Sequence, residues 1–279
     1  MEWQRIIELH DRRSGRFGTG YLLAPALALT ARHVVEGLDG MQARLFEADE
    51  DGLPGAIGPR LESRVVWSGP LDLDLALLAP ADAAASFRAD VLPVLIARLV
   101  DRAAVRVDAL GFPRAMDSPA HADTLHVEAL VSAWSGLRGS SLVLEVQTAR
   151  PNIADAWKGM SGAAVFAGDR LVGAVEAVPA LLADGALKAA RADLLFGQEA
   201  ATALLSARDV RLSDPVDAAY VDALPPAGDW SGVREQYVRA VVTKFCRIDH
   251  VGIGVRGVSD RKTPALAAYT GQRFATWPE

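Results

Sequence analysis

Across the first 150 residues the apolar stretches are short and are broken at close intervals by Gly, Pro and Asp. They fall at 6–9, 20–23, 27–30, 43–46, 64–67, 73–78, 105–110 and 142–147. Stretches this short do not supply the several turns that a stable helix needs, but they suit strands joined by tight turns. Gly18-Thr19-Gly20 fits a turn or bulge between two such strands. Two more strands are expected at 163–166 and 171–178, with Gly168-Asp169 as the hairpin between them. Many short strands in series point to an all-β barrel architecture, without choosing among barrels.

The period changes later in the chain. Leu187, Ala190, Leu194, Leu195, Ala201 and Leu204 recur at helical spacing over 186–206, interrupted by Gly197. Residues 209–230 are rich in Asp, Pro and Ala, with Pro215, Pro225 and Pro226, and read as a linker. A second helix is expected over 232–247, with Val233, Tyr237, Val241 and Phe245 on one face. The tail from 251 to 279 is polar and Gly-rich, with no clear period.

The 279 residues suffice for one two-part catalytic domain plus an extension. A net charge of −6 argues against non-specific nucleic-acid binding, which favours a basic surface. The single cysteine, Cys246, excludes an intramolecular disulfide and a cysteine-built zinc cluster. Met1-Glu2-Trp3-Gln4 does not read as a secretory start, and no apolar run reaches membrane-spanning length. The expectation is a cytoplasmic protein that binds neither nucleic acid nor membrane.

Three segments carry chemistry. They are Leu29-Thr30-Ala31-Arg32-His33-Val34-Val35, Leu73-Asp74-Leu75-Ala76-Leu77-Leu78, and Gly159-Met160-Ser161-Gly162-Ala163-Ala164-Val165. Each resembles a signature of the trypsin-like serine proteases: Thr-Ala-x-His, Asp-Leu-Ala-Leu-Leu, and Gly-x-Ser-Gly. They stand in that family's order, separated by 41 and 87 residues. Gly18-Thr19-Gly20-Tyr21-Leu22-Leu23 and Leu110-Gly111-Phe112-Pro113 resemble two further motifs of the family. The resemblance covers roughly residues 5–206. It implies two six-stranded antiparallel β-barrels, roughly 1–105 and 106–208, ending in a C-terminal helix. The linker 209–230 and a small helical extension, 231–279, follow.

The chemistry explains why these residue types are needed. A serine hydroxyl is a poor nucleophile at neutral pH unless an imidazole takes its proton and later returns it to the leaving amine. The imidazole in turn needs a carboxylate on its other nitrogen to fix its tautomer and stabilise the imidazolium. The resemblance assigns these roles to Ser161, His33 and Asp74. Asp72 competes with Asp74; the apolar run after Asp74 favours the latter. Backbone N–H groups of Gly159 and Ser161 are expected to form the oxyanion hole. His10, His121, His126 and His250 have no matching context and read as structural or exposed. No metal-ligand spacing and no Gly-x-x-x-x-Gly-Lys-Ser/Thr loop is present, so neither metal nor cofactor is expected.

Asp155 stands six residues before Ser161, where Arg/Lys-cleaving members carry the acid of the primary pocket. The resemblance therefore implies cleavage after Arg or Lys; a solvated loop carboxylate is the plainer reading. The stretch Gly173-Ala174-Val175-Glu176-Ala177-Val178 matches the strand that pairs with substrate backbone, with Glu176 and Val178 bordering the pocket. Met160 occupies the position where zymogens of the family carry an Asp, so proteolytic activation is not expected. Activity is either constitutive or gated by ordering of 154–160.

Glu235-Gln236-Tyr237-Val238-Arg239-Ala240-Val241-Val242 and Arg247-Ile248-Asp249 resemble the helix that follows trypsin-like domains in bacterial multidomain proteins, ahead of a NACHT-type or related STAND ATPase. That implies a protease effector in a defence or signalling system, with such an ATPase as partner in cis or in trans. A generic amphipathic helix packing on a neighbour has the same pattern. A catalytically degenerate protease fold used as a binding module, and an HtrA-like housekeeping protease, are the alternatives. The lack of an obvious PDZ domain and signal sequence counts against the latter.

Overall fold

A computed structural model describes residues 2–48, 54–100, 103–116, 123–132, 141–148, 157–177 and 186–223. These fall in one compact unit, Met1–Leu224. Seven strands form the first sheet: β1 (Ile6–Asp11), β2 (Arg16–Ala24), β3 (Leu27–Thr30), β4 (Gln42–Ala48), β5 (Pro54–Ile57), β6 (Leu61–Ser68) and β7 (Ala76–Pro80). Their order is β1-β2-β3-β7-β6-β4-β5, and a β1–β4 pairing closes six of them into a barrel with β5 as an outrigger.

Eight strands form the second: β8 (Leu95–Ile96), β9 (Val105–Gly111), β10 (Leu125–Val131), β11 (Ser141–Val146), β12 (Ala164–Ala167), β13 (Arg170–Ala177), β14 (Ala186–Arg191) and β15 (Arg211–Leu212). The circuit β9-β10-β11-β14-β13-β12 closes through β12–β9, giving a second six-stranded antiparallel barrel. Strands β8 and β15 add to its outside in parallel.

Strand periodicity divides the apolar residues among three cores. Side chains alternate faces along a strand. Thus Ile7 and Leu9 of β1, Leu22 of β2 and Ala28 of β3 fill the first barrel. Their neighbours Ile6, Tyr21, Leu23, Leu27 and Leu29 point the other way, into a core shared with Phe112, Phe166, Leu171 and Leu195 of the second half. The second barrel is filled by Val105, Val107, Val127, Val131, Leu142 and Leu144. Tyr21 and Phe166 meet in the shared core with ring centroids 5.1 Å apart. Strands that bury both faces read as unbroken apolar runs rather than as alternation.

Three segments differ from expectation. Gly18-Thr19-Gly20 lies inside β2, and the turn before it is at Gly15 (φ 69°). The glycines serve close approach: a Cβ on Gly18 would lie 2.8 Å from Val34 Cγ1 and 3.1 Å from the Ser161 carbonyl oxygen. Residues 186–191 are strand β14, not helix; the helix α2 occupies only Glu199–Ser206. Leu187 and Ala190 are held by pairing with β11, which overrides their helical spacing. Residues 209–223, read as linker, carry β15 and the helix α3 (Ala218–Ala223). They pack because Val210 and Val216 are buried and Tyr220 Oη donates 2.7 Å to Asp169. The remaining 224–230 and the expected helix at 232–247 lie outside the described residues.

Candidate active site

His33 sits on α1 (Arg32–Val35), a single turn entered directly from β3. Antiparallel pairing sets Thr30 of β3 against Ala76 of β7. That register brings the chain just before β7, with Asp74, alongside α1. The backbone N–H of His33 is one of the unpaired donors of a helical first turn. It donates 2.8 Å to Asp74 Oδ1, while His33 Nδ1 lies 2.6 Å from Asp74 Oδ2. One carboxylate therefore grips the backbone and the ring of the same residue. Burial works to raise the Asp74 pKa, but hydrogen bonds and charge from His33, aided by Arg32, outweigh it and hold the acid below its ordinary range. With Nδ1 committed, Nε2 is the ring nitrogen left for chemistry. Asp72, the competing acid, is exposed.

Ser161 comes from the second barrel, on the loop entering β12. The loop is fixed carbonyl by carbonyl. Lys158 O accepts from Arg114 N–H at 2.7 Å, Trp157 O from Met160 N–H at 3.0 Å, and Met160 O from Ala163 N–H at 2.9 Å. Ser161 O accepts from Thr19 N–H at 2.8 Å. Gly159 O accepts from the buried Thr19 hydroxyl at 2.7 Å. In a trans peptide the N–H points opposite to its C=O. The N–H groups of Gly159 and Ser161 are thus turned away from these anchors. Gly159 (φ 99°) and Gly162 (φ 89°) adopt left-handed conformations. A Cβ on Gly159 would lie 2.1 Å from the Phe112 carbonyl oxygen, and one on Gly162 2.0 Å from that of Thr19. Only glycine fits either place.

The Ser161 hydroxyl donates to the Glu176 carbonyl at 2.9 Å. That carbonyl is free because β13 breaks register against β14 between Val175 and Ala177. The Glu176 side chain, expected to border the pocket, is buried and ion-paired to Lys188. Burial raises its pKa, partly offset by Lys188; Asp74 raises it further and His33 lowers it. The His33 turn and the Ser161 loop meet at Gly18, where a Cβ would lie 2.8 Å from Val34, the neighbour of His33, and 3.1 Å from the Ser161 carbonyl oxygen, so the two barrels contribute to one neighbourhood.

A model of the trypsin-like peptidase domain matches residues 18–174, more than half of the chain. The chain belongs to the trypsin-like peptidase family. It is accordingly a serine peptidase, a hydrolase whose substrates are proteins or peptides. The serine endoprotease of Yersinia pestis shares the fold: 19% identity, TM-score 0.50, covering 70% of this chain and 61% of that one. The Rv3671c protease of M. tuberculosis H37Rv, in an inactive form, aligns at 16% identity and TM-score 0.48 over 74% of this chain and 89% of its own. A human pathogenic astrovirus serine protease aligns at 15% and 0.46, covering 68% and 91%. No curated protein sequence matches the chain at a significant level.

Of the residues expected in this peptidase's site, Asp155 and Val178 lie outside the described residues. The motifs did not mark Thr19 or Lys188. Thr19 left a trace, a polar residue between two glycines in an apolar strand; Lys188 left none. Away from the site, Asp108, His126 and Glu128 converge within 4.8 Å on β9 and β10. Strand pairing makes that cluster, so their spacing in the chain does not announce it. Among the described residues, no helix is long and apolar enough to cross a membrane.

Proposed function

We propose that this peptidase is a serine endopeptidase in which Ser161 is the nucleophile, His33 the general base and acid, and Asp74 the orienting carboxylate. The observation that carries the reading is the two-pronged grip of Asp74 on His33. Attack begins when the Ser161 hydroxyl turns from the Glu176 carbonyl to His33 Nε2. The proton passes to Nε2 as Oγ bonds the scissile carbonyl carbon. The N–H groups of Gly159 and Ser161 receive the developing oxyanion. The imidazolium then protonates the leaving amine, and water, deprotonated by the same ring, hydrolyses the acyl-enzyme.

Specificity rests on Asp155: a carboxylate at the floor of the primary pocket pairs with a substrate cation and selects Arg or Lys. The peptidase domain takes in the unit Met1–Leu224 rather than ending at 208, because β15 and α3 belong to it. The segment 231–279 is a coupling module that links it, in a reducing cytoplasmic setting, to a STAND or NACHT-type ATPase of a bacterial defence or signalling system. The motif resemblance at 235–249 and the lone Cys246 support this reading.

The test is digestion of a degenerate peptide library by the wild type and by Ser161→Ala, read by mass spectrometry. Cleavage after Arg and Lys that disappears in Ser161→Ala supports the whole reading. Serine-dependent cleavage after apolar residues sinks the Asp155 role alone. Cleavage that survives in Ser161→Ala removes Ser161 as nucleophile. Co-purification with an ATPase of that class, lost on deletion of 231–279, tests the coupling role.

A further inference from the structure

We propose that Thr19 is a positioning residue that holds the oxyanion loop in its working shape, so that the loop is set by the fold rather than by processing of the chain. The proposal deepens the serine-peptidase reading and rests on it. Thr19 is completely buried at the centre of β2. Its polar groups reach three segments: the nucleophile loop, Phe112 and β3. Its hydroxyl donates 2.7 Å to Gly159 O and accepts from Phe112 N–H at 3.0 Å. Its N–H donates 2.8 Å to Ser161 O, and its carbonyl accepts from the buried Thr30 hydroxyl at 2.8 Å.

Thr19 therefore grips the nucleophile loop at two carbonyls flanking Met160. Through Thr30 it also reaches the end of β3, from which the His33 turn starts. One residue links the strand that delivers the imidazole to the loop that delivers the hydroxyl. Rotation of the Gly159–Met160 peptide would strip Gly159 O of the Thr19 hydroxyl, leaving a buried donor and acceptor unpaired. Met160, which lies between the two gripped carbonyls, is buried and apolar and supplies no charge for this purpose. A hydroxyl from the other barrel does the holding instead.

The substitution Thr19→Val keeps the shape and removes the hydroxyl; Thr19→Ser keeps the hydroxyl. For turnover of a peptide substrate, Thr19→Val is expected to lose about 10²-fold in kcat with KM nearly unchanged, the cost of a displaced reacting geometry. Thr19→Ser is expected to recover most of it. Hydrogen exchange at the Met160 and Gly162 amides is expected to accelerate in Thr19→Val and to stay slow in Thr19→Ser, both measured well below the melting temperature. Wild-type kcat in a folded Thr19→Val, or unchanged exchange at both amides, would overturn the proposal. So would equal losses in the Val and Ser variants, which would mark a packing role. If the wild type itself turns over no peptide while exchange still rises only in Thr19→Val, the peptidase reading fails and the loop-holding role of Thr19 stands.

Discussion

Asp74 spends both carboxylate oxygens on a single residue, and in the proposed mechanism this is what makes His33 a directed base. Asp74→Asn keeps the shape but favours the wrong ring tautomer, and kcat is expected to fall by about 10⁴ in a peptide-hydrolysis assay. The same residue contributes to acid sensitivity. Its folded pKa lies below the unfolded value, so its stabilisation is present above the unfolded value and is lost as pH falls through the folded one. Urea midpoints taken between pH 7 and pH 3 are therefore expected to fall less steeply in Asp74→Asn than in the wild type. His33, Asp74 and Ser161 could be proposed from the sequence because their chemistry demands those residue types in recognisable surroundings. Thr19 could not: its hydroxyl bonds a carbonyl 140 residues away, and no local pattern encodes that pairing.

The bulge of β13 is the element on which the site turns. It exposes the Glu176 carbonyl to Ser161 and sends the Glu176 carboxylate to Lys188 on β14. Lys188→Met would leave that carboxylate buried and unpaired. The Lys188 side chain is 41% exposed, so the loss is expected to fall short of the ~3–5 kcal/mol of a fully buried pair. The pH dependence has a definite sign. Burial already raises the Glu176 pKa, and removing the ammonium raises it further. A carboxylate with a raised pKa binds more protons in the folded chain than in the unfolded one, so stability falls as pH rises through that interval. The deficit of Lys188→Met should be greatest above neutrality and shrink on acidification; a deficit independent of pH would contradict this. The strands of both barrels were largely readable from short apolar runs. The exceptions include β10, which no expected stretch covers, and β14, where alanines and leucines fit either period and only pairing with β11 decides.

The proposed triad makes the meeting of the two barrels part of the active site, because His33 and Asp74 come from one barrel and Ser161 from the other. Phe166→Ala, at the shared core beside Tyr21, is expected to cost about 3–5 kcal/mol by urea denaturation and to lower kcat through the altered seating of the halves. The order of the motifs made the two-barrel plan legible. Less legible was the use of 209–223, where β15 extends the second barrel through its parallel pairing with β8. Pro and Asp content resembles that of a linker, while Val216 pairs with Arg98, Leu99 and Val100, more than 100 residues away. In the proposed mechanism the fold assembles Ser161, His33 and Asp74 into one nucleophilic unit. Reaction with a fluorophosphonate, mapped by peptide mass spectrometry, tests it most directly. A single adduct on Ser161 that is lost in His33→Ala is the predicted result; no adduct on the folded wild type, or one that survives in His33→Ala, would contradict it.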